Sequence, residues 1–102
     1  MGNLKPNYQY ATAEGVPLDE PGELVSVETR GRRQITVKAE VSDTNTRFVF
    51  EIDMGDGEWI EHNTFDSKEE LAQTFNVSAA RARLLNDEAT EGETVDAWIG
   101  CS

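Results

Sequence analysis

Long apolar runs are missing from this sequence. No stretch approaches the ~18 consecutive apolar residues of a membrane-spanning helix, which excludes a helical transmembrane span. Cysteine is almost missing as well: Cys101 is the only one, so no disulfide can close within the chain. A penultimate thiol reads as a bystander rather than a nucleophile, and nothing else in the sequence supports a bridge to another chain. Histidine is limited to His62, and one histidine with one terminal cysteine cannot build a zinc site. Lysine is limited to Lys5, Lys38 and Lys68. The prolines, Pro6, Pro17 and Pro21, are confined to the beginning of the chain. The first residues also lack an apolar h-region, so a signal peptide is not expected there.

What the sequence has in excess is acid. There are 20 Asp and Glu against 9 Lys and Arg, a net charge of -11 at pH 7. Such a surface repels phosphate and anionic lipid, which argues against non-specific nucleic-acid binding and against membrane association. Two explanations fit the excess. One is an ordinary acidic protein with a cationic partner. The other is adaptation to very high salt, where screening within roughly 3 Å at 1 M lets like charges crowd a surface. Acid spread along the whole chain, scarce lysine and many small residues favour the second, and the composition resembles that of haloarchaeal proteins.

The 102 residues leave room for one domain with a thin core, and 37% hydrophobic residues is a modest share. Self-association would cover the apolar area left over. Within that domain, Ile35, Val37, Ala39 and Val41 alternate with Gln34, Thr36, Lys38 and Glu40. Phe48, Phe50 and Ile52 share a face opposite Arg47 and Glu51. A period of two marks half-buried strands with one dry and one wet face. Strands are expected over residues 24–29, 33–41, 46–53, 59–65 and 94–100. Arg30-Gly31-Arg32 and residues 42–45 read as turns, and Gly55 and Gly57 supply positive φ in the tight connection after the third strand. Residues 1–22 lack periodicity and hold every proline. They read as an irregular, extended arm that docks on a neighbouring subunit through Tyr8, Tyr10, Val16 and Leu18, the alternative being a loose tail.

Residues 67–85, SKEELAQTFNVSAARARLL, fit two periods. As helix, Ser67 and Glu70 make a capping box, and Leu71, Ala72 and Phe75 fall at helical spacing. Ser78 would then lead a second helix, and the run resembles a helix-turn-helix with Arg81 and Arg83 facing phosphate or bases. As strands, Ala80, Ala82 and Leu84 alternate with Arg81, Arg83 and Leu85, and ARARLLNDEA pairs with EGETVDAWIG as a closing hairpin or long-loop pair. The strand reading is preferred. Expected strands flank the run on both sides, and a DNA reader normally has a basic face, which a chain of this charge does not offer.

The order of motifs carries a second resemblance, over residues 24–100. VETRG closes one strand and GRRQITVKAEV follows. FVFEIDMGDGEW is similar to the strand, Asp-Gly, Trp phrase of small jelly-roll sandwiches, AARARLL to their penultimate strand and TVDAWIG to their last. The layout resembles the β-sandwich proteins of tailed-virus particles and discoidin-like sugar-binding modules. It implies an all-β, antiparallel, jelly-roll-like sandwich over residues 23–102 behind the arm at 1–22.

Three groups of residues invite a chemical role, each beside a plainer one. Asp53, Asp56 and Glu58 cluster as hard-cation ligands would, but the EF-hand spacing is absent and a hairpin turn explains the same residues. His62 lies near Asp66 and Ser67 in sequence, which is not a catalytic triad; a surface histidine on a strand edge is the simpler reading. Trp59, Trp98, Tyr8 and Tyr10 could form a sugar platform, although both tryptophans lie within expected strands and read mainly as core. Arg30, Arg32 and Arg33 form the only basic cluster, suited to pairing with acidic groups on a neighbour or to plain solvation.

The resemblance implies a non-enzymatic virion structural protein, a capsid decoration, turret or tail component of a tailed virus of a halophilic archaeon, assembled in the host cytoplasm. Its expected partners are further copies of itself and other virion proteins, held through Tyr8, Tyr10, Leu18, Arg30, Arg32 and Arg33. No cofactor, membrane or nucleic acid is expected. The alternatives are a helix-turn-helix regulator and a carbohydrate-binding module recognising a host surface glycan.

Overall fold

Alternation at residues 34–41 buries Ile35, Val37 and Ala39 completely and leaves Gln34, Lys38 and Glu40 exposed, as a strand with one dry face requires. This strand is one of eight in the computed structural model, which describes residues 9–43, 45–67 and 72–102. In chain order they are β1 Gln9–Pro17, β2 Gly22–Glu28, β3 Gln34–Val41, β4 Arg47–Asp53, β5 Trp59–Asp66, β6 Ala72–Asn76, β7 Arg81–Asn86 and β8 Thr94–Cys101. No helix occurs among the described residues.

The strands form two four-stranded antiparallel sheets, one ordered β1-β8-β3-β6 and the other β2-β7-β4-β5. Consecutive strands mostly alternate between the sheets, and these two orders are those of a jelly roll, in which paired Greek keys wrap around one core. Strand alternation fills that core from both sides. Ile35, Val37, Val95 and Ile99 come from the first sheet; Phe48, Phe50, Ile52, Ala82 and Leu84 come from the second. The all-β sandwich implied by the motif order is the observed architecture.

The helical reading of 67–85 is overturned. Ala72–Asn76 and Arg81–Asn86 are strands, with Phe75, Ala82 and Leu84 turned toward the core. The hydroxyl expected to cap a helix is engaged elsewhere: Ser67 Oγ accepts a hydrogen bond from the Thr46 amide at 3.1 Å, inside the fold. Glu70 and Leu71, which completed that pattern, lie outside the described residues. The expected pairing of β7 with β8 is also absent: β7 lies between β2 and β4, and β8 lies in the opposite sheet between β1 and β3.

The described part of the N-terminal segment is not an irregular arm. Residues 9–17 are β1, paired with β8 from Gln9 opposite Cys101 to Pro17 opposite Thr94. Ala11, Ala13 and Val16 pack on the core, and Pro17 ends an edge strand, where a missing amide donor is tolerated. Leu18 is fully buried in its own domain, with its amide donating to the Glu93 carbonyl at 2.9 Å. Burial removes it from the residues that could anchor on a neighbour.

Candidate functional site

At the end of β4 the backbone doubles back through Met54-Gly55-Asp56-Gly57, with φ of 111° at Gly55 and 86° at Gly57. Such angles suit glycine. Asp53 organises this turn from a buried position. One carboxylate oxygen accepts from the Gly55 and Gly57 amides at 2.7 and 3.2 Å, and the other is paired with the Arg81 guanidinium. The bond from Arg81, followed by the Gly55 amide, holds the Asp53 carboxyl below its ordinary pKa against the opposing effect of desolvation. Asp56 in turn accepts from the Glu58 amide at 3.0 Å. The clustered acids of DMGDGE therefore serve the turn, and Arg81 stands where a cation would compete. No group of three His, Cys, Asp or Glu among the described residues is placed to hold a metal ion.

Arg81 and Arg83 project from alternate positions of β7 onto the outer face of the second sheet. Their guanidinium carbons lie 4.8 and 4.3 Å from the Trp59 ring centroid. Arg83 also pairs with Glu51 at 2.6 Å and Glu23 at 3.3 Å. Cation–π contact and carboxylates from β2 and β4 thus hold both arginines on the sheet. Trp59 is a half-buried cover for this charged face, which corrects its assignment to the core.

Trp98 is not a core residue either. Val95, Ala97 and Ile99 point inward, so strand parity sends Trp98 outward. Its indole covers Gly100: a Cβ at that glycine would stand 2.2 Å from the Trp98 ring. Tyr10, on β1 opposite Gly100, stacks beside it with centroids 6.2 Å apart and planes inclined by 19°. Tyr10 is 61% exposed. Beside this pair lies a shallow groove of about 300 Å³ lined by Thr12, Glu14, Lys38, Glu40, Asp96 and Trp98.

His62 packs edge-on between Phe50 and Phe75, at centroid distances of 5.6 and 5.5 Å. With Ser67 bound to the Thr46 amide, His62 and Ser67 serve different packing contacts. Cys101 is buried, its thiol 3.4 Å from the Glu28 carbonyl, and desolvation pushes its pKa up, which suppresses the reactive thiolate. Arg30, Arg32 and Arg33 follow β2; Arg30 and Arg33 are exposed, and Arg32 donates to the Arg30 carbonyl at 3.0 Å. Tyr8, the remaining expected interface residue, lies outside the described residues.

Sequence reasoning expected the strand at 59–65 but missed that β5 is an exposed edge of its sheet. Ile60–Thr64 is exposed throughout, and Ile60 pairs with the inward-facing Ile52 yet remains 50% exposed. Met54, in the turn that enters β5, is 56% exposed. The facing edge of the first sheet is β6, a strand of only 5 residues against 8 in β5, so the described part of that sheet does not cover β5 along its length. The sequence signal was the apolar Met54 and Ile60 flanking an otherwise polar turn and strand start.

No protein-family model matches the chain, and no curated protein is similar to it in sequence. Solved structures do resemble it. The SPBc2 prophage-derived protein YomS superposes with a TM-score of 0.64 at 13% identity, covering 97% of this chain and 98% of that one. A protein of Bacillus endospore appendages, described as a family of disulfide-linked pili, gives a TM-score of 0.52 at 8% identity over 92% of this chain and 84% of that one. PirA gives 0.51 at 9% identity over 100% and 99%. At these identities the likeness is one of fold.

Proposed function

We propose that this protein is a structural subunit that works by assembly and not by turnover, in the particle of a tailed virus as a capsid, turret or tail component. The carrying observation is the exposed edge strand β5 with Ile60 and Met54 beside it. An edge strand offers unpaired backbone donors and acceptors to another strand, and apolar side chains along it add burial when a partner arrives. The occupant fitted to this edge is a second copy of the chain, because antiparallel pairing of one edge with itself satisfies two-fold symmetry. Likeness in fold to a prophage-derived protein and to an appendage subunit supports an assembling role. The charge of -11 supports a setting of high salt, as in a virus of a halophilic archaeon. Arg30 and Arg33, exposed at the β2–β3 turn, suit further contacts with acidic neighbours.

The test is the oligomeric state of Ile60→Lys beside the native chain. Loss of the oligomer in the variant, with an unchanged β spectrum by circular dichroism, supports the reading; a native chain that stays monomeric at all concentrations removes it.

A further inference from the structure

The geometry points to a binding site for neutral oligosaccharides on the outer face of the β1-β8-β3-β6 sheet, at Tyr10, Trp98 and the groove beside them. This goes beyond an assembling role and uses the opposite sheet from β5.

The platform is built in. Gly100 has no side chain, so the Trp98 ring can settle over its backbone, where a Cβ would stand 2.2, 2.7 and 2.9 Å from three ring atoms. Tyr10 extends this surface across the neighbouring strand, at 6.2 Å and 19°. The two rings, inclined by only 19° and with Tyr10 largely exposed, offer aromatic, weakly polar surface to the C–H face of a pyranose. Tyr10 exposes 61% of its surface, an unusual use of a large aromatic residue in a chain with few to spend.

The groove supplies the polar half of the recognition. Thr12, Glu14, Lys38, Glu40 and Asp96 line it next to Trp98. They combine hydroxyl, ammonium and carboxylate groups, so they can both donate to and accept from sugar hydroxyls. Asp96 is held in place, its Oδ1 accepting from the Gly15 amide at 2.8 Å. Glu40 and Asp96 also line a second depression, of about 230 Å³, with Val41, Ser42 and Thr94. The two hollows share these carboxylates and run along β3 and β8, which fits a chain of several sugar units. Three carboxylates against one ammonium give the groove a negative balance. It repels uronic and sialic acids and selects neutral hexoses.

The experiment titrates the full chain with mannohexaose, cellohexaose, laminarihexaose and chitohexaose, with hexagalacturonate as the charged comparison. A Trp59→Phe background leaves Trp98 as the sole tryptophan reporter. The expected result is a saturable change in Trp98 emission with at least one neutral hexaose. Tyr10→Ala, whose exposure makes the fold tolerant of the change, should weaken binding on the order of tenfold, the loss of one aromatic contact. The site is overturned if none of the neutral sugars gives saturation, if hexagalacturonate binds in preference, or if Tyr10→Ala leaves the titration unchanged. It is also overturned if Tyr10→Ala alters the oligomeric state without affecting any sugar response, which would make this face a protein contact. Ile60→Lys should leave the titration unaltered, so the glycan site and assembly through β5 stand or fall separately.

Discussion

Phe50 of β4 and Phe75 of β6 stack across the two sheets, with ring centroids 4.5 Å apart and planes within 6° of parallel. The contact joins the sheets at the edge where β5 and β6 end them, and His62 packs against both rings. It also accounts for Phe75 as a strand residue: a ring required between two sheets sets the parity of β6.

Phe75→Ala should therefore loosen this edge of the sandwich. Full burial of a Phe makes its truncation cost more, but Phe75 is half-buried, so about 2 kcal/mol is expected. Urea denaturation should show a lower midpoint with an unchanged slope. A loss below about 0.5 kcal/mol, the scale of ordinary surface changes, would mean that the stack contributes nothing.

The Asp53–Arg81 pair sets an acid limb. The folded pKa of Asp53 lies below its ordinary value of 3.8, so the folded state favours the carboxylate. Its contribution to stability is fully present above the unfolded pKa and is lost as pH falls through the folded one. Asp53→Asn should lower the urea midpoint at neutral pH and flatten its decline in acid below 3.8, where the native chain loses this support. Equal acid slopes for variant and native chain would contradict the pairing.

Gly100→Ala tests the seat of Trp98. The new Cβ would enter the indole ring at 2.2 Å, so the ring must lift away from the sheet and from Tyr10. Because an outward-facing ring can move into solvent, the stability cost should stay near 1 kcal/mol while Trp98 emission shifts to the red. An unshifted spectrum would place the indole elsewhere.

Salt should stabilise this protein. The exposed pair Arg47–Asp87, at 3.3 Å, is worth about 0–1 kcal/mol, and salt weakens it. The surplus charge of -11 is spread over a thin domain, and its self-repulsion is screened by the same salt. The larger effect decides the sign: the urea midpoint should rise from dilute buffer to molar KCl. A falling midpoint would argue against the high-salt setting.

The strands with clean alternation were legible in the sequence. Ile35, Val37 and Ala39, and Phe48, Phe50 and Ile52, face the core as their spacing requires. β1 was hidden because its inward residues are Ala11, Ala13 and Val16, too small to stand out beside Pro17. β6 and β7 were ambiguous because Ala, Leu and Arg suit helix and strand alike; the long-range pairing of β6 with β3 and of β7 with β2 and β4 decides for strand, and the stacking of Phe75 on Phe50 agrees with it. Both tryptophans were misplaced for a different reason. Size suggested the core, yet the parity of Val95, Ala97 and Ile99 already sent Trp98 outward, and that signal was sufficient. The partners of Trp59 were not readable, since Arg81 and Arg83 meet it only after β7 is carried to the centre of its own sheet, across β4 from β5.

Assembly through β5 is tested most directly by multi-angle light scattering in molar KCl on the native chain and on Ile60→Lys. The expected result is a discrete oligomer for the native chain and a folded monomer for the variant. A native chain that remains monomeric as its concentration rises, or an oligomer that survives a lysine at position 60, would contradict it.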